Sequence, residues 1–231
     1  MKIALALPFK NDADILTMTM GKVAWDLFDE YIFIDTGSTD GSREIIAQHC
    51  PNPTFIDSVL TELNWGIWRN LMMENAKAKG CDWVFMLDSD ESLFRSAYEI
   101  AIKYAREGDG NLYRFARINL AGENRWVQDY YPDWQARLIK LDAGYYYNQK
   151  VHAQPLLGEQ GETIQGLFLP EVVIYHHGWR RSAEKYTIKM LNYELTEKGE
   201  PVVDQLPDGT KVITSGFEKP EKSQLYLGPT P

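Results

Sequence analysis

Short apolar runs alternate with segments of helical periodicity over the first 95 residues of the chain. Apolar runs bounded by Pro, Gly or acidic residues predict buried strands, and apolar positions that recur every three or four residues predict helices. The predicted strands cover residues 3–7, 31–34, 55–56 and 83–88, and the predicted helices cover 14–29, 43–48 and 64–79. Strands and helices in this alternation predict a parallel sheet with crossover helices on both faces.

The pattern changes after residue 95. A helix over 96–106 is followed by strand-like runs punctuated by Gly, Pro and Asn, which predict a mixed or antiparallel extension of the sheet. These runs cover residues 112–120, 135–141, 145–147, 151–156 and 172–175, and a last helix covers 182–198. We therefore predict one domain over residues 1–198, with halves 1–95 and 96–198. A polar extension over 199–231 follows, and its end is predicted to be a loose tail.

The apolar run over residues 83–87 leads directly into Asp88, Ser89, Asp90 and Glu91. In open α/β sheets, ligands bind at the edge where such strands end. Crowded carboxylates repel one another unless a cation or a proton lies between them, so this cluster predicts a divalent metal and, through it, phosphate oxygens. The alternative interpretation is a polar turn that happens to be acidic.

The turn after the first predicted strand, Pro8-Phe9-Lys10-Asn11-Asp12, contains no glycine. Dinucleotide-binding folds need glycine there so that a pyrophosphate can reach the helix N-terminus, which argues against a nicotinamide or flavin cofactor. Asp35 closes the second strand and could bind a nucleoside, or residues 35–41 could be only a helix-capping turn. Arg69 could reach a phosphate, hold the acidic cluster in place, or lie on the surface.

Four motifs in this order resemble those of the family 2 glycosyltransferases of GT-A fold. They are PFKNDADIL at 8–16, IDTGSTDGS at 34–42, WRN at 68–70 and LDSDE at 87–91. The resemblance covers the first 95 residues strongly and extends to about residue 198 more loosely. It implies an α/β fold with a central mixed, mostly parallel sheet flanked by helices. It also implies a metal-dependent, inverting transfer of a sugar from a nucleotide-diphosphate sugar, usually a UDP sugar, to an acceptor hydroxyl.

The resemblance further implies roles for individual residues. Those expected to bind the donor are Pro8, Phe9, Asn11, Asp12, Asp35, Arg69, Asp88, Ser89 and Asp90. Within this set, Asp88 and Asp90 would hold Mn²⁺ or Mg²⁺ against the diphosphate. GT-A enzymes often bring a late histidine to the metal, and imidazole is a suitable ligand for Mn²⁺, so His176 is the preferred third ligand. His177 and no histidine at all are the alternatives.

An inverting transfer also needs a general base that deprotonates the acceptor hydroxyl. Asp133 is the first candidate, because the segment Pro132-Asp133-Trp134-Gln135-Ala136-Arg137-Leu138 looks like the acidic catalytic segment of the family, with Pro132 in place of the usual Glu. His152 is the second candidate. It lies in a Val-His step similar to the Val-His-Glu of one subgroup, but Ala153 replaces the Glu.

The composition of the chain limits the classes of molecule that it is expected to bind. A net charge of −9 argues against a general nucleic-acid binder, and the densest basic segment, Trp179-Arg180-Arg181, is interpreted as a solvated face. The acceptor could be a glycan, a lipid-linked molecule, a protein or a small molecule, and a nucleic-acid acceptor is less favoured. Cys50 and Cys81 lack metal-binding spacing and are predicted to be free thiols in a reducing compartment, with one disulfide as the alternative. The N-terminal apolar run is too short for a signal or transmembrane segment, which predicts a cytoplasmic protein.

Two other functions compete with glycosyl transfer. Asp88-Ser89-Asp90-Glu91-Ser92 also resembles the first motif of haloacid-dehalogenase-type phosphatases, with Gly108-Asp109-Gly110-Asn111 as a late acidic motif. A GT-A-shaped protein that binds nucleotide sugar or glycan without turnover is the second, because Glu is missing at Pro132 and after His152.

Overall fold

A computed structural model of the chain describes residues 1–58, 64–121, 126–127, 130–148, 156–210, 212 and 225–226. The strands are β1 (Ile3–Phe9), β2 (Glu30–Asp35), β3 (Thr54–Asp57), β4 (Trp83–Met86), β5 (Glu91–Ser92), β6 (Leu112–Asn119), β7 (Trp126–Val127), β8 (Asp133–Lys140), β9 (Leu167–His176) and β10 (Leu225–Tyr226). The α-helices are α1 (Ala13–Thr19), α2 (Ser42–His49), α3 (Trp65–Ala78), α4 (Arg95–Glu107) and α5 (Ala183–Glu197). Short 3₁₀ turns lie at Met20–Lys22, Trp25–Leu27, Leu141–Ala143 and Gly178–Arg180.

Eight strands form one sheet in the order β3-β2-β1-β4-β8-β6-β9-β5. Strands β1 to β4 are mutually parallel, β8 is antiparallel to both β4 and β6, and β9 is parallel to β6. The parallel first half and its mixed extension are therefore as predicted. These directions bring the ends of β1, β2, β4, β6 and β9 and the start of β8 to the same edge of the sheet, which we call the carboxyl edge.

The core lies on both faces of this sheet. Along β1, Leu5 and Leu7 face one apolar cluster, whereas Ala4 and Ala6 face the other, in which they are joined by Met72 of α3. This alternation follows from the two-residue period of a strand. All four residues of β4 are buried, as expected for a strand covered on both sides. The carboxyl edge is thus built on strands that cannot move without disturbing the core.

Two predicted elements differ from the structure. The helix over 14–29 is wrong in its length: α1 ends at Thr19, a 3₁₀ turn follows, and Val23 is extended. Gly21, a poor helix former, lies at the break. Strand β9 begins at Leu167, five residues before the predicted strand, and its pairing with β6 shifts register between Phe115 and Ala116. Pro170 lies in this irregular part of the strand, where a proline is tolerated. Because proline is rare inside strands, the sequence pattern does not predict a strand at this position.

Other expectations concern the thiols and the chain end. Cys50 and Cys81 are free and buried, as predicted. The predicted strand over 145–147 is reduced to an isolated bridge between Tyr146 and Leu157. Residues Leu225–Tyr226 of the predicted loose tail pair with β7 in an antiparallel strand. Among the helices described, none is both long and apolar enough to cross a membrane.

Candidate active site

A cleft of about 840 Å³ opens at the carboxyl edge of the sheet. Its volume falls in the range of roughly 300–1,000 Å³ that is typical of small-molecule sites. Most of the predicted donor-binding residues line it, together with Asp133, His176 and the basic side of α5. The predicted residues that line it are Pro8, Phe9, Asn11, Asp12, Arg69, Asp88, Ser89, Asp90, Asp133 and His176. The sheet therefore brings motifs from both halves of the chain to one site.

The turn after β1 lines the cleft and contains one residue with a left-handed backbone conformation. Asn11 has φ +49°, a conformation that Asn tolerates better than most residues and that glycine often supplies in related turns. Its side-chain oxygen accepts from the Thr39 backbone N–H at 2.7 Å, which ties this turn to the one after β2. The neighbouring Asp12 accepts a 2.6 Å hydrogen bond from Ser89 Oγ. This bond joins the turn after β1 to the acidic segment after β4.

Asp35 lies at the end of β2 with its side chain buried. Its carboxylate accepts hydrogen bonds from the backbone N–H groups of Gly37 and Ser38 at 3.0 and 2.7 Å, and it also pairs with Arg43. Burial would raise the pKa of Asp35, but the bond from Arg43 and those from the turn outweigh it and hold the pKa below its usual value. The geometry matches a side chain that organises its own turn, and a contact between Asp35 and a nucleoside stays a prediction.

Asp88 and Glu91 form the base of the cleft with two buried arginines, and we call these four residues (Asp88, Glu91, Arg69, Arg137) the floor. Arg69 Nη2 donates to Asp88 Oδ1 at 2.8 Å, and Arg137 Nη2 donates to Asp88 Oδ2 at 2.6 Å. Burial would raise the pKa of Asp88, but the charges of Arg137 and Arg69 lower it to about 2. Both oxygens of this carboxylate are thus already engaged by protein donors.

Glu91 completes the floor from beneath. It is fully buried, and Arg137 reaches it twice, through Nε at 3.0 Å and through Nη2 at 2.6 Å. The Asp88 backbone N–H also donates to Glu91 at 3.1 Å. A bidentate arginine is the strongest common partner for a buried carboxylate, and its removal would leave an unpaired charge. Glu91 therefore fixes the shape of the Asp88–Glu91 turn from inside the protein.

Asp90 faces the opposite way and belongs to a second group, which we call the wall: Asp90, His176, Arg181 and Lys189. His176 Nε2 lies 3.4 Å from Asp90 Oδ2, and Arg181 Nη2 and Lys189 Nζ lie 3.4 and 3.6 Å from the same oxygen. Burial would raise the pKa of Asp90, but the nearby charges of His176 and Lys189 outweigh it and hold the pKa well below the usual range. The wall contacts are longer than those of the floor.

A short relay connects the wall to Asp133. Asn119 Nδ2 lies 3.3 Å from Asp133 Oδ2, so its amide oxygen faces the other way and accepts from His176 Nδ1 at 2.8 Å. Nδ1 donates the proton of that bond to Asn119, and the other ring nitrogen, Nε2, faces Asp90. Two electronegative atoms that face each other need a proton or a metal cation between them. Asn119 was not predicted from the sequence, where it is one polar residue at the end of a strand.

The wall also contains a space that only glycine leaves open. A Cβ on Gly178 would lie 2.6 Å from His176 Nε2 and 3.0 Å from Asp90 Oδ2. The distance to His176 is too short for a real contact, so a side chain here would have to displace His176. The donor pair and the free space beside it fit a cation at Asp90 and His176. In the described parts of the chain, however, no three His, Cys, Asp or Glu side chains converge as a complete metal site, and Asp88 as a ligand stays a prediction.

Asp133 begins β8 and projects into the cleft with about a quarter of its side chain exposed (26%). Arg117 donates to Oδ2 through Nε at 2.8 Å and Nη2 at 2.6 Å, and Gln135 donates to Oδ1 at 2.6 Å. Burial would raise the pKa of Asp133, but the Arg117 charge and these hydrogen bonds outweigh it and lower the pKa. Asp133 is therefore an ionised carboxylate in the cleft, and its role as base stays a prediction.

The structure describes His177, but not His152, of the two other histidine candidates. His177 is buried just after the end of β9, and its Nε2 lies 2.8 Å from Ser92 Oγ, whereas His176 Nδ1 faces Asn119. Burial lowers the pKa of His177 to about 4, which keeps the ring neutral near neutral pH. His152 lies outside the described residues.

The interpretation of Arg181 as part of a solvated face is wrong. Its side chain is only 10% exposed, it pairs with Asp12, and it lies 3.3 Å from Ser89 Oγ. No local pattern signals this contact, because Arg181 and Asp12 are 169 positions apart. The arginine closes the cleft opposite the turn after β1, and α5 follows directly.

Comparison with known proteins identifies the family and the fold of the chain. The profile of "Glycosyl transferase family 2" matches residues 5–155, and the chain belongs to that family. An uncharacterized glycosyltransferase of Mycoplasma genitalium, MG060, is 28% identical over 148 residues, which are 61% of this chain and 45% of that protein. The chain thus spans less than half the length of this curated relative.

Solved structures show the same fold at low sequence identity. S. aureus TarS 1–349 in complex with UDP-GlcNAc is 14% identical, with a TM-score of 0.55 over 84% of this chain and 66% of that chain. A mycobacterial protein is 15% identical, with a TM-score of 0.52 over 87% of this chain and 75% of that chain. The predicted GT-A fold is confirmed.

Proposed function

We propose that this protein is a metal-dependent, inverting glycosyltransferase that moves a sugar from a nucleotide-diphosphate sugar to an acceptor hydroxyl. The observation that carries the proposal is the position of Asp88-Ser89-Asp90 in a cleft of about 840 Å³, between the turn after β1 and His176. Membership in glycosyl transferase family 2 supports the same reaction class. The UDP-GlcNAc complex of TarS motivates a UDP sugar as the first donor to test.

The donor would lie along the carboxyl edge. Pro8, Asn11 and Asp12 would contact the base and ribose, and the diphosphate would lie near Asp90. Mn²⁺ or Mg²⁺ would be held by Asp90 and His176, with Asp88 as a further predicted ligand. When bound, such a cation neutralises the charge that develops on the leaving diphosphate. The floor arginines hold the acidic turn in place, so that Asp90 is presented in one orientation.

Asp133 is our first choice for the base, and the hydrogen bonds around it suggest which oxygen acts. Oδ2 is occupied by Arg117, whereas Oδ1 has Gln135 as its hydrogen-bond partner. Oδ1 would therefore accept the proton of the acceptor hydroxyl. The lowered pKa makes Asp133 a weaker base but keeps it ionised, and general-base groups contribute about 10²–10⁴-fold to a rate.

The test is a panel of nucleotide sugars incubated with Mn²⁺ or with EDTA, in which release of the nucleoside diphosphate is measured. Candidate acceptors are glycans, lipid-linked molecules, proteins and small molecules. Asp133→Asn should lower turnover by about 10²-fold or more while UDP affinity stays unchanged. Asp142→Asn, the same change at an exposed position of the chain, is the matched control. Full turnover in Asp133→Asn would move the base elsewhere.

A non-catalytic reader of nucleotide sugars is the second candidate, and the heavy hydrogen bonding of Asp133 is what favours it. It predicts tight donor binding with no turnover for any donor and acceptor pair. The phosphatase interpretation has less support. The backbone oxygen of Asn111, the last residue of the late acidic motif, accepts a hydrogen bond from the Lys140 backbone N–H. This contact lies near Asp82, at the start of β4. Asp88 follows the other end of that strand, so the two motifs are not brought together.

A further inference from the structure

We propose that Tyr130 and Trp179 form an acceptor subsite at the mouth of the cleft, on which a pyranose ring of a glycan stacks. This inference rests on the proposed function and deepens it, because it names the class of acceptor. The ring centroids of Tyr130 and Trp179 are 6.3 Å apart and their planes are 86° apart, so the two rings meet edge to face. Trp179 lines the cleft, and Tyr130 extends the aromatic surface from it. Rings that meet in this way cover little of each other, so ring faces stay open to a ligand.

The aromatic pair lies beside the candidate base. Tyr130 precedes Asp133 by three residues in the chain. Trp179 follows His176 by three residues. Asn119 joins Asp133 to His176 with contacts of 3.3 and 2.8 Å, so the segments that carry the two rings extend from the two ends of this relay. An acceptor that rests on the rings would therefore be close to Asp133 Oδ1, the oxygen that we propose as the base.

Both rings are more open to solvent than a role in core packing requires. Tyr130 is 59% exposed, although its neighbour Tyr131 packs against Trp126. Trp179 is half-buried. Single exposed aromatic residues are common on protein surfaces and need no explanation. Two of them in contact, at a cleft that also contains an ionised carboxylate, favour a ligand over chance exposure.

The surroundings of the pair indicate a sugar. A pyranose ring has apolar C–H faces and a rim of hydroxyl groups, so it needs an aromatic surface next to hydrogen-bonding side chains. The cleft offers such side chains, because Arg117 and Gln135 line it and both donate to Asp133. A prenyl or acyl chain would instead need continuous apolar walls, since burial of these polar groups against it would be unfavourable. A neutral sugar also leaves the charges of the cleft unchanged.

The inference is tested on the full chain with methyl glycosides and disaccharides of the common hexoses and N-acetylhexosamines. Binding is followed by saturation-transfer NMR and by titration, with and without UDP and Mn²⁺, and at least one of these sugars should bind. Tyr130→Ala should weaken that binding about 5- to 10-fold, as expected for loss of an aromatic contact. Tyr130→Phe keeps the ring and should retain the affinity. Unchanged affinity for UDP in both variants would show that they are folded.

Phe94→Ala is the matched control. Phe94 is 67% exposed and meets Tyr175 edge to face with ring centroids 5.3 Å apart, but it is not among the described residues that line the cleft. Glycoside binding by this variant should equal that of the unaltered protein. An equal loss in Phe94→Ala and Tyr130→Ala would overturn the subsite, because it would show that the sugars contact exposed rings at random.

Two other results would also overturn the subsite. One is that no glycoside binds, whether or not farnesyl phosphate or a serine-containing peptide binds instead. The other is glycoside binding that Tyr130→Ala leaves unchanged. If UDP still binds in either case, the proposed function stands with a different acceptor or a different acceptor position. Failure of the protein to bind UDP would instead overturn the proposed function, and glycoside binding without UDP would still decide the subsite.

Discussion

The floor and the wall of the cleft hold adjacent carboxylates in contrasting ways. In the floor, Asp88 receives hydrogen bonds of 2.8 and 2.6 Å from Arg69 and Arg137, and Arg137 is only 1% exposed. In the wall, Asp90 has cations at 3.4 to 3.6 Å, and Lys189 is partly open to the cleft. Two acidic residues separated by one serine thus serve different purposes. Asp88 is held by short, direct hydrogen bonds, whereas Asp90 lies among longer contacts.

The contrast lies in contact length, because the Asp90 side chain is 5% exposed whereas that of Asp88 is 18% exposed. A buried ion pair contributes little net stability, but removal of one member leaves an uncompensated charge at high cost. The floor cations are therefore committed to the carboxylates they hold. Three of the four wall side chains are also largely buried, and Lys189, which is 32% exposed, is the wall cation most open to solvent. We expect changes in the floor to lower stability and changes in the wall to lower ligand affinity.

The largest expected effect is on the floor. Arg137→Met would leave Asp88 and Glu91 without their shared partner, and breaking a buried pair costs about 3–5 kcal/mol. Urea unfolding followed by circular dichroism should show this loss. Arg95→Met is the matched control, because Arg95 makes ion pairs with Asp26 and Glu99 on the surface. Equal effects of the two substitutions would contradict the structural role of the floor.

The second effect concerns His177, which lies behind the wall. Its pKa is about 4 in the folded protein against 6.5 ordinarily, because burial disfavours the charged ring. As pH falls from 6.5 to 4, the unfolded chain takes up a proton that the folded protein excludes, so stability falls across this window by at most about 3 kcal/mol.

Urea unfolding in EDTA, repeated between neutral pH and about pH 4, measures this dependence. His177→Gln, whose side chain can still bond to Ser92, should lose this part of the pH dependence and keep the part due to carboxylates. Parallel pH profiles for the two proteins would show that His177 is not held neutral by burial.

A smaller effect is expected from a methyl group in the wall. In Gly178→Ala the added Cβ would overlap His176 Nε2, so Mn²⁺ binding should weaken by roughly 1.4 kcal/mol or more, which is about 10-fold. Stability should change little. Gly21→Ala is the control, because its Cβ would be 3.7 Å from the nearest atom, in His49. Calorimetric titration with Mn²⁺ measures both variants, and normal affinity in Gly178→Ala would remove the cation from this position.

Asp88 and Arg69 of the floor, together with the turn after β1, could be anticipated from local sequence. The strand before Asp88, the glycine-free turn at Pro8 to Asp12 and the helix with Arg69 each have a clear pattern of apolar and polar residues. Their convergence at one edge follows from parallel strand order, which the alternation of elements predicts. A role for Arg69 in holding the acidic cluster was one of several interpretations, and its contact with Asp88 is the one observed.

The wall could not be anticipated in the same way. Arg181 meets Asp12, and Lys189 approaches Asp90, only because α5 follows β9 back across the carboxyl edge. No local pattern records such long-range pairing, and a basic residue near Trp179 is more often solvated. Glu91 and Arg137 likewise pair across two strands. The prediction of the helix over 14–29 failed for a local reason, because apolar spacing continued past the break at Gly21.

The most direct test of the account is a titration of UDP into Asp90→Asn, with and without Mn²⁺. The proposed function places the metal at Asp90, so the unaltered protein should bind UDP more tightly when Mn²⁺ is present. Asp90→Asn should fold and bind UDP with the same affinity in both conditions. If Asp90→Asn retains the full increase in affinity caused by Mn²⁺, Asp90 does not hold the metal, and the division of the cleft into floor and wall is wrong.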